Sequence, residues 1–213
     1  MSTSLQYKDF GYKDASGSHM YRHLMPHLLA LATPIKPGTR VLDVGCGNGA
    51  ICGELLRQGC DVVGIDLSEE GIQQARKTHP LGRFELMEAD ERVLERLNEA
   101  PFDLVISTEV VEHVYAPRSW ARGCIHALKP GGHLICSTPY HGYLKNLSLS
   151  LAGKWDSHAD PLWDGGHIKL WSRRTLSQLL IETGFEDVVF RGVGRAPWLW
   201  MTMVMKATKG THA

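Results

Sequence analysis

Acids recur along the first half of this chain, each closing an apolar run. Val41-Leu42-Asp43-Val44 leads into Gly45-Cys46-Gly47-Asn48-Gly49, and an apolar helical pattern starts at once with Ala50, Ile51, Leu55 and Leu56. A strand, a turn almost without side chains and a helix N-terminus make a cradle of nucleotide size. Glycine lets the backbone approach a ligand closely, and free N–H groups face the gap. Asp43 stands two positions before the first glycine. Val62-Val63-Gly64-Ile65-Asp66-Leu67-Ser68 repeats the form, with its acid 23 residues after Asp43. An acid at that distance, ending a second strand, can accept both ribose hydroxyls. Ser68 reads as an N-cap, with Glu69 and Glu70 in the first helical turn. A third run, Phe84 to Ala89, ends at Asp90, which equally suits a surface acid opening a helix over 91–98. A fourth, Phe102 to Thr108, runs into Glu109-Val110-Val111-Glu112-His113-Val114.

Gly45-x-Gly47-x-x-Ala50 also satisfies the loose dinucleotide pattern, so charge must separate the ligands. A pyrophosphate at this turn is repelled by a carboxylate at Asp43. A ligand carrying an ammonium and a sulfonium is attracted. The stretch Asp43-x-Gly45-x-Gly47-x-Gly49 resembles motif I of the class I S-adenosylmethionine (SAM)-dependent methyltransferases. Leu128-Lys129-Pro130-Gly131-Gly132-His133-Leu134, a helix end followed by a turn and a strand, resembles another frequent element of that family. The resemblance is close over roughly 39–140 and looser beyond. It implies a cofactor site of Asp43, Gly45, Cys46, Gly47, Asn48, Gly49, Asp66, Leu67, Asp90 and Thr108, with Asp66 on the ribose and Asp90 on the adenine amino group. Two rivals come from other classes: an NAD-dependent oxidoreductase, and a SAM-binding module without catalysis.

Glu109-x-x-Glu112-His113-Val114 is similar to the corresponding stretch of the ubiquinone-biosynthesis O-methyltransferases, and His167 has a looser counterpart there. If this stretch is helical, Glu109, Glu112 and His113 share one face at i, i+3 and i+4. Such a trio either holds a divalent metal such as Mg²⁺, which would lower an acceptor hydroxyl's pKa, or buttresses the substrate floor by hydrogen bonding. The resemblance implies the metal. Methyl transfer also needs a proton removed from the acceptor, and histidine is the natural base near neutral pH. The candidates are His113, His141 and His167. The expected reaction is O-methylation of a small hydroxylated acceptor, phenol- or quinol-like, or natural-product- or lipid-like. N-, C- or carboxyl methylation of a small molecule is the alternative.

These residues need a frame. The chain has 213 residues, 43% hydrophobic and 22% charged, which suits one globular domain. Lys+Arg and Asp+Glu both number 23, giving zero formal net charge with no basic tail, which argues against a nucleic-acid partner. The partner expected is a small-molecule acceptor. Alternating strand and helix patterns predict a parallel sheet covered on both faces, with strands near 40–44, 61–65, 83–88, 102–107 and 132–138. The resemblance implies a Rossmann-like, mostly parallel seven-stranded sheet of order 3-2-1-4-5-7-6. The last strands, near 186–194 and 199–207, then form an antiparallel hairpin. Right-handed crossovers put the strand ends bearing Asp43, Asp66, Asp90 and Thr108 on one edge, where ligands bind.

Within a single domain over 1–213, residues 1–32 read as an N-terminal arm holding Tyr7 and Tyr12 plus a helix from about Ser16 to Ala32. Residues 139–171 are long for a strand-to-helix connection and read as a substrate lid, with a short helix over 142–152. The lid carries Tyr140, His141, Tyr143, Trp155, His158, Trp163, His167 and Trp171. They line an apolar acceptor pocket or form a mini-core that anchors the loop. Leu147, Leu149, Leu151, Trp198 and Trp200 offer at most a weak membrane-facing patch, and no apolar run has membrane-spanning length. Five cysteines without Cys-x-x-Cys pairing read as reduced buried thiols of a cytoplasmic protein.

Overall fold

The protein is described by a computed structural model covering residues 19–32, 34–163 and 166–211. The expected arm, with Tyr7 and Tyr12, lies outside the described residues. In chain order the elements are α1 (His19–Ala32), β1 (Arg40–Val44), α2 (Ala50–Arg57), β2 (Asp61–Asp66), α3 (Glu69–Thr78), β3 (Arg83–Leu86), α4 (Val93–Leu97) and β4 (Phe102–Thr108). They continue with α5 (Pro117–Ala127), β5 (Leu128–Pro139), α6 (Tyr143–Leu151), α7 (Trp155–Ala159), α8 (Arg173–Thr183), β6 (Phe185–Val193) and β7 (Thr202–Lys209).

The seven strands form one sheet in the order β3-β2-β1-β4-β5-β7-β6. The pairs β2–β3, β1–β2, β1–β4 and β4–β5 are parallel, and β7 runs antiparallel between β5 and β6. The apolar runs of the central strands are continuous because both faces are covered. Alternation sends Leu42, Val44, Val63 and Ile65 to one core, with Trp120 of α5 and Leu176 of α8. Val41 and Val62 go to the other, with Leu28 of α1, Leu55 of α2 and Ile72 of α3. Ser68 caps α3 as its type demands, its hydroxyl accepting from the Gly71 amide at 2.9 Å.

Three local differences from the sequence reading have plain causes. Pro130-Gly131-Gly132 is part of β5. The register against β4 slips between Phe102 and Leu104, and Gly131 takes φ 76°. The strand expected at 199 starts at Thr202, because residues 194–201 form a turn with Gly194, Arg195 and Trp198 at positive φ. Residues 109–114 are not a helix. Glu109 sits at φ 54°, one turn follows with the His113 amide donating to Val110 O at 2.9 Å, and α5 begins only at Pro117.

Candidate functional site

The cradle is built by backbone geometry. Gly45, Gly47 and Gly49 take φ of 78°, 51° and 78°, a region that costs an L side chain about 1–2 kcal/mol. At Gly45 space is also closed: a Cβ would lie 2.2 Å from Val110 Cγ2. The amides of Gly45 and Cys46 donate to Ile65 O at 2.8 and 3.0 Å, tying the loop to β2. Asp66 completes the tie. Its Oδ2 accepts from the Gly47 amide at 2.8 Å and its Oδ1 from the Ser68 amide at 2.7 Å. The acid expected on the ribose is therefore also the strut that joins the glycine loop to the end of β2. Leu67 beside it is 48% exposed and offers an apolar surface at the same edge. Asn48 is buried and its Oδ1 accepts from the Ala50 amide at 3.3 Å, inside the loop. Cys46 packs on β2, where its Sγ would meet a Cβ on Gly64 at 2.8 Å.

Asp43 lies behind this loop. It is fully buried, with Oδ2 accepting from Cys52 Sγ of α2 at 3.1 Å and Oδ1 without a hydrogen-bond partner among the described residues. Burial lifts its pKa to about 7. No surface of this carboxylate is open to solvent. Asp90 follows β3 and is engaged with α4: Oδ1 accepts from the Arg92 amide at 2.9 Å and Oδ2 pairs with Arg96 at 2.8 Å. Thr108 is half-buried at the end of β4.

Beyond Thr108 the chain turns sharply, and that turn sorts the expected trio. The Glu109 amide donates to Ser137 O at 3.0 Å, and its Oε1 accepts from Ser137 Oγ at 2.7 Å and Thr202 Oγ1 at 2.8 Å. Burial raises its pKa, and the two hydroxyls and Lys145 oppose the rise. Glu112 goes elsewhere. It is 1% exposed, and neither carboxylate oxygen has a hydrogen-bond partner among the described residues. Burial, with Glu109 nearby, holds its pKa well above the usual carboxylate range.

His167 takes the place expected of Glu109. The amides of Ile168 and Lys169 both donate to Glu112 O at 3.0 Å, and His113 Nδ1 lies 3.1 Å from Gly166 O. A carbonyl only accepts, so Nδ1 carries the proton and Nε2 the lone pair. These bonds bring the His113 and His167 rings to 5.0 Å between centroids, with Trp163 at 5.3 Å from His113. One ligand atom each from Glu112, His113 and His167 lie within 4.8 Å of one another. Burial, with His113 beside it, pushes His167 down to about 4.

His141 belongs to a neighbouring group. Its ring stacks on Trp155 at 6.2 Å and meets His158 edge-on at 5.2 Å, and its Nδ1 lies 3.1 Å from Asn146 Oδ1. Burial is the main cause that takes its pKa down to about 4. Ser137, Thr202 and Lys145 are polar members of this edge that motif reading missed. Only the pairing of β5 with β7 brings Ser137 and Thr202 to Glu109, and no spacing in the sequence announces that. Of the proposed membrane patch, Leu147, Leu151 and Trp198 are exposed, whereas Leu149 and Trp200 are half-buried. Trp200 joins a ring cluster with Tyr140 and Phe190. Among the described residues no helix is long and apolar enough to cross a membrane.

Known proteins share this frame. A family model described as a methyltransferase domain matches residues 16–189. The chain is 33% identical over 181 residues to a ubiquinone biosynthesis O-methyltransferase of Roseobacter denitrificans, covering 81% of this chain and 70% of that protein. A protein of the same name from Maricaulis maris is 42% identical over 121 residues, 54% of this chain and 46% of its own length. The chain thus spans from under half to about 70% of the length of these two relatives. An S-adenosylmethionine-dependent methyltransferase of Mesorhizobium loti superposes with a TM-score of 0.65 at 23% identity, covering 88% of this chain and 98% of that one. Phosphoethanolamine N-methyltransferase 2 of Haemonchus contortus, solved with S-adenosyl-L-methionine, gives 0.61 at 17% identity over 87% of this chain and 52% of its own. With the glycine cradle at the end of β1 in a β3-β2-β1-β4-β5-β7-β6 sheet, the chain belongs to the SAM-dependent methyltransferase family.

Proposed function

We propose that this protein moves the methyl group of SAM to an oxygen of a small hydroxylated acceptor. The observation that carries the reading is Glu112, a buried carboxylate with only the Thr138 hydroxyl near enough to ease it, beside two imidazoles just past the end of β4. Burying a carboxyl short of partners is costly, and the raised pKa favours its neutral form, so a cation or hydrogen-bond donor bound at this point would relieve it. The relatives named ubiquinone biosynthesis O-methyltransferase favour oxygen as the accepting atom.

In this reading the glycine loop, Asp66 and Leu67 receive the nucleoside, Asp90 and Thr108 border it, and Asp43 contributes from behind the loop. The acceptor lies against His113, His141 and His167, under the segment 139–171 acting as a lid. The acceptor oxygen attacks the sulfonium methyl in line. The new O–C bond forms as the C–S bond breaks, S-adenosylhomocysteine leaves, and the hydroxyl proton passes to an imidazole. His113 suits that role in the metal-free site, because Nδ1 is tied to Gly166 O and the lone pair is on Nε2. His141 and His167, both pushed down to about 4, stay neutral at pH 7.

The donor set of Glu112, His113 and His167 also fits a divalent cation, with one carboxylate and two imidazoles within reach of a common point. Such an ion, when bound there, would occupy the Nε2 lone pair of His113 in place of a proton and would lower the acceptor hydroxyl's pKa. Glu109 is not among the ligands we propose, since its carboxylate serves Ser137 and Thr202. All five cysteines are free and buried, which supports a reducing, cytoplasmic setting. The test is calorimetric binding of SAM against NADH, followed by a methyl-transfer screen on phenols, quinols, amines and carboxylic acids. Binding of NADH and not SAM, or transfer confined to amines, would refute the proposal.

A further inference from the structure

Lys145 is a cation placed where solvent cannot serve it. It sits on α6 and is only 5% exposed. Among the described residues its Nζ donates one hydrogen bond, to Met201 O at 3.1 Å. An ammonium has three donors, so two are left over in a desolvated place. Glu109 is the acid that acts on it, yet the two form no ion pair, and Glu109 Oε1 is held by Ser137 and Thr202. Arg195 opposes the ammonium from the β6–β7 turn. Burial is the chief reason its pKa falls to about 8.

A second orphan lies in the same cluster. His158 Nε2 is buried without a hydrogen-bond partner among the described residues, within electrostatic reach of Lys145, and the His158 ring abuts His141 at 5.2 Å. A buried ammonium with unused N–H groups, and a neutral ring in the tautomer that carries its proton on Nε2, are the complement of an oxygen anion.

We propose that Lys145 is the acceptor's anion-binding residue: its ammonium, aided by His158, holds an oxyanion of the methyl acceptor at the sheet edge beside Met201. The inference rests on the methyltransferase reading and narrows its acceptor to molecules that bind as oxyanions. The anion has two chemical sources, the ionised hydroxyl that receives the methyl or a separate carboxylate on the same molecule.

The experiment uses the full chain saturated with S-adenosylhomocysteine and three probes of one shape: 4-nitrophenol, 4-nitrobenzoate and neutral nitrobenzene. Binding is followed by calorimetry, and the ionisation of bound 4-nitrophenol by its absorbance across pH. A hydrogen bond from a charged donor predicts at least about tenfold tighter binding of one anion than of nitrobenzene. It also predicts a bound nitrophenol pKa lowered by about one unit if the phenolate is the partner. Lys145→Gln should abolish both effects, and Lys145→Arg should restore part of them. Preference for nitrophenolate alone assigns the anion to the reacting hydroxyl, and preference for nitrobenzoate alone assigns it to a carboxylate. If Lys145→Gln lowers the thermal midpoint, Lys145→Met, which keeps the buried methylene chain, makes the same comparison. Nitrobenzene binding as well as both anions, no detectable preference, or an unchanged preference in the Lys145 variants would overturn the proposal. Failure of the wild type to bind S-adenosylhomocysteine would instead sink the methyltransferase reading.

Discussion

Gly45→Ala probes the cradle directly. Two costs are written in the structure. Alanine at φ 78° enters the left-handed region, at about 1–2 kcal/mol. Its Cβ also lands 2.2 Å from Val110 Cγ2, an overlap that forces a neighbour to move. Val110 is β-branched and stiff at χ1, so relief requires a shift of the turn that carries Glu112 and His113. Overpacking of this kind costs about 1–3 kcal/mol. The sum is about 2–5 kcal/mol, or a fall in thermal midpoint on the order of 4–20 °C for a domain of this size. The second cost can be isolated. Val110→Ala removes the methyl that is struck, so Gly45→Ala/Val110→Ala should recover the overpacking part and leave the backbone part. The expected coupling between the two sites is about 1–3 kcal/mol. Urea unfolding of the four proteins measures it, and calorimetry with S-adenosylhomocysteine reads the loop's competence in the same samples. An additive cycle, or Gly45→Ala binding the nucleoside with wild-type affinity and stability, would show that this backbone path does not form the cradle.

Three further outcomes are expected. Glu112→Gln keeps the shape of a buried acid whose raised pKa already disfavours its charge, so in chelator the variant should unfold at the same temperature as wild type or higher. Its turnover should be lost, and exhaustive chelation followed by Mg²⁺ add-back should restore wild type alone; wild-type activity that survives chelation removes the metal. His113→Ala and His167→Ala should lower turnover at least about a hundredfold while leaving SAM affinity within a few fold, as loss of a base or its support implies; steady-state kinetics beside calorimetry decides, and full turnover in both variants ends the histidine proposal. Asp43 has its folded pKa raised to about 7, so its contribution to stability is fully present below the unfolded carboxylate pKa and fades as pH rises through 7. The rise to about 7 corresponds to a ceiling on the order of 4 kcal/mol. Asp43→Asn should therefore flatten the fall in urea midpoint between pH 4 and 8, and an unchanged slope would show that another group carries it.

The sequence alone determined a good deal, because its signals are local. Asp-x-Gly-x-Gly-x-Gly after Val41-Leu42 marks a turn that only a backbone free at positive φ can make, and the chain makes it at Gly45, Gly47 and Gly49. Apolar runs closed by Asp66 and Thr108 announced parallel strands and the edge where they end. The antiparallel β6–β7 pair followed from family resemblance, and β7 does lie between β5 and β6, antiparallel to both. Tertiary structure decided which side chains meet. Asp43 reads in one dimension only as an acid beside the glycine loop; strand alternation places its carboxylate on the α2 side, where Cys52 Sγ donates to it. Glu109 and Glu112 stand three residues apart and look like one helix face. The positive φ at Glu109 breaks that face, sending one carboxylate to Ser137 and Thr202 and the other toward His113. His167 arrives from 54 residues beyond His113 because Ile168 and Lys169 bond to Glu112 O. Lys145 finds Met201 O only once α6 lies beside the residue that leads into β7. Turn chemistry depends on a residue and its neighbours, so it can be read in order along the chain. The meeting of distant side chains depends on strand register and loop closure, and those are settled only when the whole sheet has formed.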